Sequence, residues 1–519
     1  MRNAGAGAVM RRTLGEIQEI VRGRWMAPPD RVALAGVATG VSIDSRTLRV
    51  GDLFLALDGA RVDGRDYADA AIDAGAAAVL AEARAGWGCA RADRVLIVDN
   101  AVVALRTLAL DHRAGITRTT VIGVTGSVGK TTTCRLLDAA LASRLRGRCS
   151  PRSYNNHLGV PLTILSAEAD DGYLICEAGA SAPGEMAEHA ALIRPDVALI
   201  TGVGRAHLEG FATVDRAARE KAALGLAAPA PGAVFVAEGS PALDAALESA
   251  RAEVIRVGLS DCAHVRIESA SHEWSDSLNG HDRTRVRNNV RDARSTEKKS
   301  LCGGRSQDGV GLRVRLADGA EFVAPVAGRR LAMNVALAVS AARRLGLADE
   351  DIRAGLRGAA FPPMRFERSV IGAVEVFNDA YNANPESVAS AIETFAELAE
   401  LAANPAARPG ARQIIVLGDM LELGRAEAAA HEEALGRALA AGVDRVIALG
   451  PRFARAAQSR PDDRLLALDG ASDEAIDRAT GEIKPGDSVL LKGSRGMRLE
   501  RVARTLERIH AGPARAPTL

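Results

Sequence analysis

The stretch "GVTGSVGKTTT", residues 123–133, constrains the fold more than any other part of this sequence. The apolar run before it is typical of a buried strand, and the Thr-rich run after it of a helix start. Together they predict a phosphate-binding loop, in which glycine N–H groups wrap phosphate oxygens, Lys130 reaches the β- and γ-phosphates and a threonine hydroxyl holds Mg²⁺. The strict form of this loop begins with glycine, whereas this chain has Val124 there. The predicted nucleotide contacts are Thr125, Gly126, Ser127, Val128, Gly129, Lys130, Thr131 and Thr132.

The chain has 519 residues, enough for roughly three domains of about 150 residues. After the loop, and again from near Met364, apolar runs of strand length alternate with Ala-rich helical patterns, which predicts mostly parallel sheets covered by helices. We therefore predict an α/β fold with a small N-terminal α/β domain (1–114), a central P-loop parallel-sheet domain (115–360) and a C-terminal Rossmann-like domain (361–519).

Residues 270–308 are polar and Arg-rich, which predicts an exposed, disordered insertion. A nucleic-acid- or partner-binding tail is the alternative.

Composition excludes several classes of function. The net charge of +1 gives no electrostatic argument for binding nucleic acid or a membrane surface. Six cysteines without a C-x-x-C pair indicate a reducing compartment rather than a disulfide framework. No stretch approaches the ~20 apolar residues of a membrane span, and the N-terminus, with its start at Met1 or Met10, lacks the apolar segment of a secretory signal. We predict a cytoplasmic monomer with no membrane insertion and no nucleic-acid partner.

Several chemically useful side chains follow predicted strands. Glu177 ends the run "LICE", His207 follows "ITGVGRAH", and Asp379 and Tyr381 end "EVFNDAY". Ligands of open α/β sheets bind beyond the carboxyl ends of the strands, so these side chains could converge, and Glu177 and His207 could hold Mg²⁺. Taken singly, Glu177 could instead be a helix N-terminal acid, His207 a satisfied loop histidine, and Lys221 a solvated helix lysine.

Four further segments are rich in polar and turn-forming residues but do not resemble interdomain linkers. They are "SYNNHLGVPLTIL" (153–165), "DAYNANPES" (379–387), "LGDMLELG" (417–424) and "LLKGSRGMRLE" (490–500). The last places Lys492, Ser494, Arg495 and Arg498 beside a strand end, where they could hold a carboxylate.

These segments together resemble the Mur ligases, and within them the members that add D-alanyl-D-alanine. The matching stretches are "TGSVGKTTT", "NNHLGVPLT", "AHLEGF", "DAYNANPES", "LGDMLELG" and "KGSRGMR", and residues 39–67 resemble the family's N-terminal UDP-binding domain. The D-N-P-R signature of the lysine- and diaminopimelate-adding relatives is absent. The resemblance runs from about Met10 to Arg508, interrupted at the polar insertion.

The resemblance implies an ATP-dependent amide ligase of peptidoglycan synthesis. ATP would phosphorylate the C-terminal carboxylate of UDP-MurNAc-tripeptide, and the amine of D-Ala-D-Ala would attack the acyl-phosphate. The implied catalytic residues are Lys130, Glu177, His207 and Lys221, and the implied ligands of two Mg²⁺ ions are Thr131, Glu177, His207 and a carbamylated Lys221. Further ATP contacts would be Asn334, Arg365 and Asp379. Substrate contacts would be Asp44, Ser45, Arg46, Asn155, Asn156, Tyr381, Asn382, Asn384, Lys492, Ser494 and Arg495.

The chain also departs from the family pattern. Ser181 and Ala182 replace Asn and His in E-L-G-A-N-H-P-G-E, and Ala222 and Ala223 follow the lysine where Gly-Glu is frequent. The other replacements are Arg330 and Leu331 in G-R-H-N-V-x-N, Met364 for the glycine before Arg365, and Asn378 for the first Asp of D-D-x-Y-N. Two alternatives therefore stay open: another Mur or folylpolyglutamate-type ligase, and a degenerate nucleotide-binding paralogue without catalysis.

Overall fold

The computed structural model describes residues 10–59, 62–151, 154–274, 310–402 and 412–510. Within those ranges the chain forms three α/β units, each built around its own main sheet. This confirms the predicted three-domain α/β fold. Residues 270–274 of the segment predicted as a disordered insertion (270–308) belong instead to a strand, Val265–Trp274, because they pair with the strand Val310–Leu316. The rest of the predicted insertion, from residue 275 onward, lies outside the described residues.

The N-terminal unit contains a five-stranded sheet in the order β2-β7-β6-β5-β4, parallel except for β2. The apolar runs "DLFLAL" (52–57) and "AAAVLAE" (76–82) contain β5 and β6. Its elements are β1 (Arg12–Thr13), α1 (Leu14–Val21), β2 (Arg24–Trp25), α2 (Arg31–Leu34), β3 (Val37–Ala38), β4 (Gly40–Ser42), β5 (Asp52–Ala56), α3 (Ala68–Asp73), β6 (Ala78–Glu82), β7 (Val95–Val98) and α4 (Ala101–Gly115).

The middle unit is a nine-stranded sheet in the order β16-β15-β14-β13-β12-β11-β8-β10-β9. Its elements are β8 (Thr120–Thr125), α5 (Lys130–Leu141), β9 (Gly147–Cys149), α6 (Gly159–Leu165), β10 (Tyr173–Glu177), α7 (Glu185–Ile193), β11 (Val197–Ile200), α8 (Leu208–Phe211), α9 (Val214–Leu226), β12 (Ala233–Ala237), α10 (Pro241–Ala246), β13 (Glu253–Gly258), β14 (Val265–Trp274), β15 (Val310–Leu316), β16 (Glu321–Ala324), α11 (Ala332–Arg344) and α12 (Asp349–Arg357). Strands β8 to β14 pair in parallel, and β14, β15 and β16 pair antiparallel.

The central strand β8 explains why this sheet is covered on both faces. Val121 points into the core shared with α4, α6, α7 and α9, whereas Ile122 and Val124 point into the core shared with α5, α11 and α12. All three side chains are fully buried, and each such burial stabilises the fold by roughly 1.5–3 kcal/mol. A strand apolar on both faces is what a parallel sheet between two helix layers requires.

The C-terminal unit is a six-stranded sheet in the order β17-β18-β22-β19-β20-β21, parallel except for the β17–β18 pair. Its elements are β17 (Glu367–Ile371), β18 (Val374–Asp379), α13 (Pro385–Ala402), β19 (Gln413–Gly418), α14 (Glu427–Ala440), β20 (Arg445–Leu449), α15 (Pro451–Gln458), β21 (Leu465–Leu468), α16 (Asp473–Gly481), β22 (Ser488–Lys492) and α17 (Glu500–His510). Helices again cover both faces of the sheet. Across the described parts of all three units, the helices are too short or too polar to cross a bilayer.

Candidate functional site

The loop between β8 and α5 needs its two glycines. Gly126 has φ +149° and Gly129 has φ +84°, backbone conformations that other residues adopt only with strain. A Cβ on Gly126 would lie 2.0 Å from Thr201 Oγ1, and one on Gly129 would lie 2.2 Å from Asn334 Nδ2. The backbone can therefore wrap a phosphate group at the N-terminus of α5, as the sequence predicts.

Hydrogen bonds from the neighbouring strand hold this loop in place. The Ser127 N–H donates to Gly202 O at 2.9 Å, and the Gly204 N–H donates to Ser127 Oγ at 2.9 Å. The Thr201 hydroxyl donates to Val128 O at 2.6 Å. The loop is thus preorganised by the turn that follows β11.

Asn334 joins α11 to the same loop. Its Nδ2 donates to Thr133 Oγ1 at 2.9 Å and to Gly129 O at 3.3 Å. Thr132 is buried in the first turn of α5. The Thr125 hydroxyl is also buried and has no hydrogen-bond partner in the described part of the chain. Buried hydroxyls are normally satisfied, so this orphaned group fits a site that receives a polar ligand.

Lys130 is half-buried at the start of α5, and its Nζ donates to Gly126 O at 2.7 Å. Burial lowers the pKa of its ammonium, the nearby Glu177 carboxylate opposes that change, and the Arg365 guanidinium adds to it. The Lys130 ammonium therefore lies at the N-terminus of α5, within reach of the field of Arg365, and both charges favour binding of a phosphate chain there.

Glu177 ends β10 and is almost fully buried beside the loop. Its Oε2 accepts from the Thr131 hydroxyl at 2.8 Å, and its Oε1 accepts from Asn155 Nδ2 at 2.7 Å. Both carboxylate oxygens are therefore oriented by the chain. Asn156, beside Asn155, accepts at Oδ1 from the N–H of Gly159, the first residue of α6, at 2.9 Å.

The oxygen atoms of Thr131 and Glu177 fit Mg²⁺, which takes oxygen ligands and is commonly held by one or two carboxylates together with substrate phosphates and waters. No group of three or more His, Cys, Asp or Glu side chains suited to a metal occurs in the ranges that the structure describes. The chain itself therefore presents a partial set of ligands in those ranges.

His207 caps the start of α8 in a left-handed conformation, with φ +57°. Its Nδ1 lies 2.8 Å from Glu422 Oε2, a residue of the C-terminal unit. Burial and the charge of Lys130 lower the pKa of the imidazole, and Glu422 partly offsets them. Glu422 was not among the predicted site residues, although it lies in the "LGDMLELG" segment that the sequence singles out.

Lys221 lies on α9 and is 2% exposed, so it is not a solvated helix lysine. Its Nζ lies 5.1 Å from the centre of the Phe211 ring, and no carboxylate of the described residues forms an ion pair with it. Burial and the charge of Lys130 lower its pKa to about 8, with Glu220 opposing. More of this amine is therefore neutral at pH 7 than in an exposed lysine.

A solvent-open cleft lies between the middle and C-terminal units. Several predicted site residues meet there, because the turn after β11 faces the turns after β18 and β22. The lining residues are Ala206, His207, Asn382, Ala383, Asn384, Leu421, Glu422, Leu423, Ser494, Arg495 and Gly496.

Some of the predicted substrate contacts bind other parts of the chain. Lys492 is 3% exposed, and its Nζ forms an ion pair with Asp379 Oδ2 at 2.8 Å and donates to Asn382 O at 2.7 Å. Asn384 Oδ1 accepts from the Ser387 N–H at 2.8 Å and caps α13. In the same region, the Ser494 hydroxyl accepts from the Leu421 N–H. Arg495 keeps half of its side chain exposed while pairing with Glu500 at 2.9 Å.

Arg365 stacks on Tyr381, with the guanidinium carbon 4.2 Å from the ring centre. The residues on either side of it, Met364 and Phe366, have φ +62° and +53°. This left-handed conformation costs an ordinary residue roughly 1–2 kcal/mol. The left-handed conformation of Met364 explains why the family pattern has a glycine at this position.

The remaining predicted contacts lie in the N-terminal unit, in the turn after β4. Asp44 Oδ1 accepts from the Arg46 N–H at 3.0 Å, and Asp44 Oδ2 pairs with the Arg46 guanidinium at 2.7 Å. These contacts lower the pKa of the Asp44 carboxyl. Ser45 is half-buried between them and Arg46 is exposed.

Family models match all three units. The model described as "Mur ligase family, catalytic domain" matches residues 37–111, the "Mur ligase middle domain" matches 124–301, and the "Mur ligase, glutamate ligase domain" matches 364–495.

Two curated relatives are similar over nearly their whole length, and both are named UDP-N-acetylmuramoyl-tripeptide–D-alanyl-D-alanine ligase. The protein from Mycobacterium leprae is 31% identical, with 95% of this chain and 98% of that protein aligned. The protein from Bacillus subtilis is 29% identical, over 96% and 99%.

Solved structures show the same fold. MurF from Acinetobacter baumannii superposes with a TM-score of 0.76 at 24% identity, over 96% of this chain and all of that chain. MurF ligase from Thermotoga maritima, determined in complex with ADP, superposes with a TM-score of 0.66 at 26% identity, over 90% and 97%.

Proposed function

The chain belongs to the Mur ligase family, and we propose that it joins D-alanyl-D-alanine to the C-terminal carboxylate of UDP-N-acetylmuramoyl-tripeptide, forming a C–N bond and converting ATP to ADP and phosphate. The observation that carries this assignment is the full-length similarity to relatives named for that reaction. Another Mur-type or folylpolyglutamate-type ligase is not favoured. A non-catalytic paralogue is not favoured either, because the phosphate loop and the Thr131–Glu177 pair are intact.

In the first half-reaction, a carboxylate oxygen of the tripeptide attacks the γ-phosphorus of ATP and ADP leaves. The glycine loop and the N-terminus of α5 receive the phosphate chain, and Lys130 swings from Gly126 O to stabilise the charge on the phosphoryl group in flight. Thr131, Glu177 and His207 would hold Mg²⁺, which would neutralise phosphate charge. Asn334, Arg365 and Asp379 make the further contacts with ATP, beyond those of the phosphate loop.

In the second half-reaction, the amine of D-alanyl-D-alanine attacks the acyl-phosphate carbonyl, the new C–N bond forms and inorganic phosphate leaves. The cleft between the middle and C-terminal units is where the two substrates meet, with Asn382, Asn384, Ser494 and Arg495 on its C-terminal side. Tyr381, stacked against Arg365, precedes these residues and is a further substrate contact. Asp44, Ser45 and Arg46 hold the UDP end in the N-terminal unit.

The roles of Asn155, Asn156 and Lys492 as substrate contacts stay predictions. The domain limits at 114/115 and 360/361, the monomeric state and the cytoplasmic location also stay predictions.

Lys221 carries a carbamate in the active enzyme. Its neutral amine adds to the carbon of CO₂, the N–C bond forms, and the proton leaves to solvent. Three features of the site support this: the side chain is buried, its pKa is held near 8, and no described carboxylate already pairs with it. The resulting carboxylate would be a ligand for a second Mg²⁺.

Release of inorganic phosphate from ATP and Mg²⁺ tests the proposed function. The tripeptide and D-alanyl-D-alanine are added singly and together, with either diaminopimelate or lysine as the third residue. We expect sustained release only when both substrates are present. Folded protein that binds ATP yet releases no phosphate with either tripeptide would leave the non-catalytic paralogue as the better account.

A further inference from the structure

Arg205 lies in the turn between β11 and α8 and reaches across to the C-terminal unit. Its Nε and its backbone N–H both donate to Glu386 Oε1, at 2.9 and 3.1 Å. Its guanidinium also donates to Glu433 Oε2 at 2.8 Å. The Arg205 side chain thus links the segment between β11 and α8 to the first helical turn of α13 and to α14.

The same turn is tied to the phosphate loop. The Gly204 N–H donates to Ser127 Oγ at 2.9 Å, and the Ser127 hydroxyl lies 3.3 Å from Gly204 O. Gly204 also packs directly against the Glu386 carboxylate, because a Cβ there would lie 3.0 Å from its carboxyl carbon. A continuous path of contacts therefore runs from the phosphate loop to α13.

Both ends of this path border the cleft. His207, two residues after Arg205, lines one wall, and Asn384, two residues before Glu386, lines the other. Asn384 caps α13, so its position is coupled to that of Glu386 in the first turn. The Arg205–Glu386 contact therefore holds the two walls together at the phosphate-loop side of the cleft, beside the direct His207–Glu422 contact.

We propose that Arg205 is a positioning residue for the ligation step: it keeps the cleft closed while the acyl-phosphate awaits the amine. The inference rests on the proposed function. Without this contact the walls separate and water competes with the amine. The water oxygen then bonds to the acyl carbon, the C–O bond to phosphate breaks, and tripeptide carboxylate and inorganic phosphate result. ATP is consumed with no peptide bond formed.

The test measures phosphate and UDP-MurNAc-pentapeptide in the same reaction. We expect the wild type to form them in equal amounts. For Arg205→Gln we expect more phosphate than pentapeptide. We also expect the rate of pentapeptide formation to fall by about five- to tenfold, which is the rate change that corresponds to the interaction energy of two partly exposed ion pairs. Arg205→Lys keeps the charge and restores part of the coupling. Glu433→Gln shifts the ratio in the same direction by less, and adding it to Arg205→Gln causes little further change because the pair is already broken.

Arg330→Gln is the matched control, because it removes another arginine–carboxylate pair between the same two units, Arg330 with Glu393 at 2.7 Å. We expect its phosphate and pentapeptide to stay equal. Equal amounts in Arg205→Gln, or an equal excess of phosphate in both variants, would overturn the inference. If Arg205→Gln does not fold, Glu433→Gln alone decides between these outcomes. A wild type that forms no pentapeptide would refute the proposed function instead.

Discussion

Replacing Lys130 with methionine should lower the rate of phosphate release by on the order of 10³-fold, the scale seen when one donor to a developing charge is removed. The reason is that this ammonium is the side-chain cation at the N-terminus of α5, with its Nζ 2.7 Å from Gly126 O within the phosphate loop. Methionine keeps the length and packing of the side chain while removing the charge. The measurement is steady-state phosphate release at saturating ATP and both substrates.

Lys484→Met is the matched control, since it removes the charge of an exposed lysine in the C-terminal unit. We expect it to match the wild type in rate and in melting temperature. A Lys130→Met protein that melts like the wild type and still turns over within a few-fold of its rate would contradict the role assigned to Lys130.

Activity should also depend on dissolved CO₂ through Lys221. We expect the wild type to lose most of its activity in CO₂-depleted buffer and to recover it when bicarbonate is added, whereas Lys221→Met stays on the order of 10²-fold less active in both. Because only the neutral amine reacts, the bicarbonate needed for recovery should fall as pH rises from 7 through the pKa of about 8.

A second readout does not depend on turnover. With ¹³C-bicarbonate and no Mg²⁺, a carbamate carbon signal should be present in the wild type and in Lys484→Met, and absent from Lys221→Met. Full activity of the wild type without CO₂, or the same ¹³C signal in all three proteins, would show that Lys221 acts as a plain amine.

The phosphate loop was predictable from sequence because its determinants are adjacent in the chain. A buried strand, glycines at two strained positions and a helix start occupy residues 120–133, and the structure places each element where the pattern puts it. The parallel sheets were predictable for the same reason, since each strand carries its own apolar run.

Contacts between distant segments were not predictable in this way. His207 meets Glu422 across 215 positions, and Arg205 meets Glu433 across 228. These contacts depend on how the C-terminal unit packs against the middle unit, and a local sequence pattern carries no information about that packing. Lys492 shows the same limit, because its sequence neighbours suggest a free cation for a ligand, whereas the folded chain buries it against Asp379.

Transfer of oxygen from the tripeptide to phosphate tests the central claim most directly. The tripeptide is labelled with ¹⁸O in its C-terminal carboxylate and incubated with ATP, Mg²⁺ and D-alanyl-D-alanine. Attack of that carboxylate on ATP predicts one ¹⁸O atom in each inorganic phosphate, together with a pentapeptide that has lost one label. Unlabelled phosphate would mean that ATP is hydrolysed by water without activating the carboxylate, and would contradict the assignment of this chain as the ligase.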